Sequence, residues 1–261
     1  VEALRQVDGW PCEHVGVGVA GAVAATYGDE EARFAWASVT KLATAVAMLV
    51  AAEEGLVDLD EPAGPSGSTF RHLLAHASGL PFDPGPPISR PGVRRIYSNY
   101  GFDVAAELVA ERAEMPFGDY FATVWHGTSA TLEGSAGSGV TGTLGDLLVL
   151  ARELLEPHRL APETLAEARA VQFPGLAGVL PGFGRQDPND WGLGFEVRDA
   201  KSPHWTGARN APATFGHFGR SGTFLWVDPE AGVALGCLTD CPFGDWAKDA
   251  WPRLSDAVLE R

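Results

Sequence analysis

Segments that read as strand lie at the two ends of this chain, and segments that read as helix lie between them. At the front, Val15, Val17 and Val19 recur at period two, and small and β-branched residues continue to Tyr27, as in a hairpin turning near Ala20-Gly21. At the back, Thr223-Phe-Leu-Trp-Val and Val233-Ala-Leu-Gly-Cys-Leu flank a turn at Asp228-Pro-Glu-Ala-Gly. Terminal strands can share one sheet only if the chain leaves it and returns. The expected layout is therefore an α/β domain built from residues 1–60 and 190–261, with a mainly helical domain, 61–189, inserted.

The helical readings are residues 38–54 with Gly55 as the stop, Phe70 to Ala77, 99–125, Leu144 to Leu155, Pro162 to Val171 and Trp246 to Leu259. Residues 174–213 are rich in Gly, Pro and Trp and read as a long loop.

Charge excludes some functions. Nineteen Lys and Arg stand against 34 Asp and Glu, a formal net charge of −15, so neither a nucleic-acid backbone nor an anionic membrane surface is an expected partner. The longest apolar stretch, Leu42 to Ala52, is far short of the ~20 residues that span a bilayer. Cys12, Cys237 and Cys241 are an odd count without a framework, which predicts free thiols. Together with an opening, VEALRQVDGW, that lacks a basic and apolar leader, this predicts a cytoplasmic address. No heptad pattern stands out, and a monomer is expected.

Only three lysines occur, so a lysine inside a chemical motif carries weight. Ser38-Val39-Thr40-Lys41 sets a hydroxyl and an amine on one face of a helical first turn. A serine needs a base before it attacks, and an amine serves if burial and the helix dipole lower its pKa. The bland alternative is a capping serine and a surface lysine; about one chain in seven of this composition would carry S-x-x-K by chance. Tyr97-Ser98-Asn99 precedes a helix, where a phenol could relay protons and an amide hold substrate, or where Ser and Asn simply cap. Gly216-His217-Phe218-Gly219-Arg220-Ser221-Gly222-Thr223 leads into a strand, as a substrate-side edge or as an ordinary turn.

S-x-x-K, Y-x-N and a glycine-flanked H-x-G, in that order, resemble the serine β-lactamase-related family of class C β-lactamases, DD-peptidases and esterases. Four further stretches carry the likeness: Phe34-Ala-Trp-Ala before the serine, Glu54-Gly-Leu-Val-Asp-Leu-Asp-Glu-Pro, Leu73-Leu-Ala-His-Ala-Ser-Gly-Leu-Pro, and Phe224-Leu-Trp-Val-Asp-Pro-Glu-Ala-Gly. The resemblance implies a β-lactamase/DD-peptidase-like fold, an antiparallel sheet flanked by helices with a helical insertion. It implies Ser38 as the acylated nucleophile, Lys41 and Tyr97 as its proton-transfer partners, and Asn99, His217, Gly219 and Arg220 on the substrate side. The backbone N–H groups of Ser38 and Arg220 would form the oxyanion hole. It implies no cofactor and a small ester, amide or β-lactam as substrate.

Departures from the pattern narrow the substrate. S-D-N and K-T-G are replaced by Tyr97-Ser98-Asn99 and His217-Phe218-Gly219, and no E-x-x-L-N segment supplies a deacylating glutamate. Without the K-T-G ammonium and hydroxyl, an anionic substrate loses charge-assisted contacts, which favours small esters or amides over β-lactams and peptide C-termini. The alternatives are a β-lactamase or DD-peptidase, and a binding or sensor relative that does not turn over. The 174–213 loop, with Trp191 and Trp205, is expected to wall or cover the cleft.

Two further patterns are read as decoys. Gly16-Val-Gly-Val-Ala-Gly21 matches G-x-G-x-x-G but neither follows a strand nor opens a helix. His72 and His76 are spaced i, i+4 without a third metal ligand.

Overall fold

The computed structural model describes residues 2–260. In chain order the elements are β1 (Val15–Gly21), β2 (Ala25–Gly28), β3 (Phe34–Ala35), α1 (Thr40–Glu53), α2 (Phe70–Leu74), α3 (Asn99–Ala113), α4 (Phe117–Val124), β4 (Thr131–Leu132), β5 (Val140–Gly142), α5 (Leu144–Leu155), α6 (Pro162–Arg169), β6 (Gly178–Leu180), β7 (Gly184–Gln186), β8 (Glu196–Val197), β9 (Phe215–Gly219), β10 (Thr223–Asp228), β11 (Val233–Thr239) and α7 (Asp245–Leu259). Short 3₁₀ segments cover Glu2–Gly9 and Ala37–Val39.

The two chain ends do share one sheet. Six antiparallel strands run in the order β2-β1-β11-β10-β9-β8, with Val17 opposite Cys237 and Phe224 opposite Cys237 on the other side. Both faces are covered, and β10 shows how. Leu225 and Val227 join the core beneath α1 and α5, while Phe224 and Trp226 join a second core under α7 with Trp251 and Leu254. A strand buried on both sides has no polar alternation, so Phe224 to Val227 reads as one continuous hydrophobic run.

The G-x-G-x-x-G decoy has a packing explanation. A Cβ at Gly18 would lie 2.8 Å from Leu148 Cδ1, and one at Gly236 would lie 2.8 Å from Leu147 Cδ2. Glycine at these strand positions lets α5 settle onto β1 and β11. Thus α5, although it falls within 61–189, lies on the main sheet.

Four expectations are corrected. Residues 99–125 form two helices, because Glu114 takes a left-handed conformation (φ 54°) and Pro116 follows, ending α3 before α4 begins. The Gly216–Gly219 segment is not a turn before a strand but most of a strand itself, β9. Within the 174–213 loop, β6 and β7 form a hairpin and β8 closes the sheet edge. The free-thiol reading holds only for buried Cys237, since Cys12 and Cys241 are disulfide-bonded across a sequence separation of 229. Spacing along the chain could not pair them, because the contact is made by the first and last parts of the sequence meeting at one sheet.

Candidate active site

Ser38 does not cap a helix. It lies in the 3₁₀ turn between β3 and α1, and the residue before it, Ala37, sits in the left-handed region at φ 46°. α1 then starts at Thr40 with no side-chain cap, so the serine hydroxyl is not consumed by the backbone. The helix is buried on every side from Thr40 to Leu49, which takes Lys41 entirely out of solvent.

The Tyr97-Ser98-Asn99 segment combines both of its readings. Ser98 caps α3, its hydroxyl accepting the Gly101 N–H at 2.8 Å while donating to the Pro81 carbonyl oxygen at 2.5 Å. That anchor turns Tyr97 and Asn99 onto Lys41. The Lys41 Nζ lies 2.8 Å from Tyr97 Oη, 2.5 Å from Asn99 Oδ1 and 2.8 Å from the Gly137 carbonyl oxygen. Two of these partners can only accept, whereas the phenol can donate. A neutral amine, with two N–H bonds and one lone pair, fits all three. Burial pushes the Lys41 pKa well below its ordinary 10.5, with Asp103 opposing weakly. Burial raises the Tyr97 phenol above its ordinary value, and its hydrogen bond with Ser38 works against that shift. Ser38, Tyr97 and Lys41 are thus one connected chain of polar groups.

His76 is a supporting residue. It accepts the Ser98 N–H on Nδ1 at 3.2 Å and packs its ring on Tyr97, Phe102 and Trp191. His72, the other half of the i, i+4 pair, closes a capping box with Thr69 at the start of α2. The two histidines therefore serve separate helix ends.

The third motif is docked against the chain that leads to Ser38. Ser221 Oγ donates to the Ala35 carbonyl oxygen at 2.8 Å, and Thr223 Oγ1 to the Trp36 carbonyl oxygen at 2.9 Å. A Cβ at Gly219 would fall 2.7 Å from the Trp36 carbonyl oxygen and 2.9 Å from Ala37 Cβ. Gly219 therefore permits this close approach and does not itself line the cavity. Among the described residues, the backbone N–H groups of Ser38 and Arg220 have no backbone acceptor.

A cavity of about 420 Å³ opens beside Ser38. Tyr97, His217 and Arg220 border it, and Phe82, Leu180, Trp191, Phe218 and Phe243 make most of the remaining wall. Asn99 is not on that wall; its side-chain oxygen is committed to Lys41. Trp191 lines the cavity as expected, but Trp205 is buried in the α7 core with its indole on Glu196, so the wall or lid role does not extend to it. The tip of the β6–β7 hairpin, Leu180-Pro181-Gly182, supplies the wall instead. A wider groove of about 610 Å³ lies at the C-terminal end of α5, ringed by Arg152, Arg159 and Arg169, and no serine, threonine, cysteine or lysine lines it.

Behind the cavity lies a cluster absent from the sequence reading. Buried Glu196 takes Lys201 Nζ at 2.5 Å, His204 Nε2 at 3.0 Å and Trp205 Nε1 at 3.0 Å. Burial alone would raise the Glu196 carboxyl; the charges of Lys201 and His204 overcome it and hold the group well below the usual range. The scarcity of lysine was the one signal that could have singled out Lys201.

The β-lactamase family model matches residues 6–126 and 122–259. A β-lactamase from Mycobacterium bovis is 53% identical, superimposes with a TM-score of 0.96, and is matched over 98% of both chains. EstCE1, a hydrolase with promiscuous acyltransferase activity, is 18% identical with a TM-score of 0.79, over 98% of this chain and 96% of its own. Unliganded simvastatin synthase from Aspergillus terreus is 17% identical with a TM-score of 0.78, over 99% and 96%. These last two share the fold. No curated protein matches the chain. The chain belongs to the β-lactamase family, and it is an enzyme of the serine-hydrolase type.

Proposed function

We propose that the chain hydrolyses small esters or amides with an apolar acyl group, through an acyl-enzyme on Ser38. The observation that carries this reading is Lys41, fully buried, without a carboxylate partner among the described residues, and joined to Ser38 through Tyr97. In acylation the Ser38 proton passes to Tyr97 Oη as the Tyr97 proton passes to the Lys41 amine. The Ser38 oxygen then bonds to the substrate carbonyl carbon. The carbonyl oxygen becomes an oxyanion facing the Ser38 and Arg220 N–H groups, where fixed donors lower the barrier. As the oxyanion collapses, the proton returns along the same path to the leaving alcohol or amine. Water takes the serine's place in the second half and releases the acid. Asn99 and the Gly137 carbonyl hold the amine lone pair on Tyr97.

The apolar wall supports a weakly charged substrate, since Phe218 stands where K-T-G would offer a hydroxyl. Arg220 favours a second reading, a β-lactamase. Its exposed guanidinium borders the cavity and, among the described residues, has no carboxylate partner, so an anionic β-lactam could use it. The 53% identical M. bovis protein is described as a β-lactamase, which supports the same alternative.

Intact-mass spectrometry separates the readings. A fluorophosphonate should add once, at Ser38, and p-nitrophenyl acetate should turn over, with Ser38→Ala abolishing both. Rapid hydrolysis of a chromogenic cephalosporin would favour the β-lactamase reading, and a cephalosporin that stays attached would favour a sensor. Absence of any adduct would overturn the acyl-enzyme.

The disulfide supports an oxidising compartment over the cytoplasmic address, whose cysteine argument it removes. Thiol titration of the unfolded, unreduced chain should find one free cysteine; three would restore the earlier expectation.

A further inference from the structure

His217 offers the cavity an acceptor in place of a charge. Its Nδ1 lies 2.7 Å from the Phe218 carbonyl oxygen, which can only accept, so Nδ1 carries the proton and Nε2 the lone pair. The residue is 4% exposed, Nε2 has no partner among the described residues, and the ring borders the cavity beside Ser38. Burial pushes the imidazole pKa down to about 3, so the ring is neutral at physiological pH. Trp191 and Tyr97 pack on it with ring centroids at 5.3 and 5.6 Å and fix its orientation. A buried acceptor without a donor is costly, and a ligand that brings the donor recovers that cost.

We propose that His217 Nε2 determines substrate specificity, selecting an apolar acyl group that carries one uncharged N–H or O–H donor. The proposal rests on the acyl-enzyme reading of Ser38 and adds the chemistry of the acyl group. The surrounding walls, Phe82, Trp191, Phe218 and Phe243, accept the apolar body, and the neutral imidazole accepts the single donor. A ligand of the same shape with the donor methylated leaves Nε2 desolvated and unpaired, so it is discriminated against even though it is more apolar.

Two pairs of p-nitrophenyl esters test this at different reach from the ester. One compares N-acetylphenylalanine with its N-methyl derivative, the other 3-(4-hydroxyphenyl)propanoate with 3-(4-methoxyphenyl)propanoate. The wild type should prefer the donor-bearing member of at least one pair by about tenfold or more in kcat/KM. That ratio should collapse toward one in His217→Phe and persist in part in His217→Gln, whose carbonyl can accept. No preference in either pair, or an unchanged ratio in His217→Phe, would overturn the proposal. If the Phe variant does not fold, ¹⁵N-histidine NMR of the wild type decides. The unprotonated Nε2 resonance should move upfield with 3-(4-hydroxyphenyl)-N,N-dimethylpropanamide and stay in place with its methoxy analogue, which has no N–H or O–H donor; equal responses would overturn the proposal. Failure of fluorophosphonate to label Ser38 would bring down the hydrolase reading itself, whereas lost donor preference with labelling intact concerns His217 alone.

Discussion

Lys41 and Lys201 are both withdrawn from solvent, at 0% and 5% exposure, and each reaches three oxygen atoms. Lys41 meets an amide oxygen, a backbone carbonyl and a phenol. Lys201 meets the backbone carbonyls of Asp190 and Val197 and the carboxylate of Glu196. One carboxylate separates the two. Where it is present, the buried ammonium has a counter-charge and ties β8 to the loop carrying Trp191. Where it is absent, burial favours the neutral amine, and the lysine becomes a base. Burying a lysine does not make it catalytic; burying it without a counterion beside a hydroxyl does.

The largest effect expected from breaking this contrast is on chemistry. Lys41→Met should lower the acylation rate about 10³-fold or more, read as the burst of p-nitrophenol in single-turnover kinetics. Its unfolding free energy should fall less than that of Lys201→Met, because no charge is left unpaired. A Lys41→Met enzyme with an undiminished burst would break the comparison on the catalytic side.

On the other side, Lys201→Met strands the Glu196 carboxylate beside His204 and should cost about 3–5 kcal/mol in urea unfolding. The double variant Lys201→Met/Glu196→Gln should regain a large part of that loss. Ser38 labelling in the folded fraction should persist in both. If the single and double variants were equally unstable, the ion pair would not be what holds this region.

A smaller effect appears in acid. The folded Glu196 carboxyl titrates below its ordinary 4.5, so its contribution to stability is complete above that pH and is lost as the pH falls toward the lowered value. Wild-type thermal stability should therefore drop below about pH 4.5 more steeply than that of Glu196→Gln. Parallel profiles would show that the carboxylate is not held by its partners.

The sequence made the catalytic side far more legible than the staple. S-x-x-K works within one helical turn, so its spacing is visible in one dimension, and a capping serine explains why Tyr97 and Asn99 emerge together. Glu196 opens the two-residue β8, and Lys201 and His204 follow it in chain without regular structure, so no periodicity marks which side chains turn inward. Trp191 and Trp205 looked equivalent for the same reason, though one faces the cavity and the other the α7 core. β1 and β11 were legible as strands and β9 was not, and the need for the glycines of all three lies in what packs above, Leu148, Leu147 and the Trp36 carbonyl, all distant in sequence. The disulfide was hidden for that reason too: Cys12 and Cys241 become neighbours only when the sheet brings both ends together.

The central claim is that a neutral, unpaired Lys41 activates Ser38 through Tyr97, and the pH dependence of fluorophosphonate labelling at Ser38 tests it most directly. Deprotonation of the amine switches the base on, so the labelling rate should climb with pH and level off at a midpoint well below the ordinary lysine value of 10.5. Lys41→Met should label slowly and lack that midpoint. A wild-type rate that rises only above pH 10.5, as the Tyr97 phenol ionises, would contradict the account and make the phenolate the base.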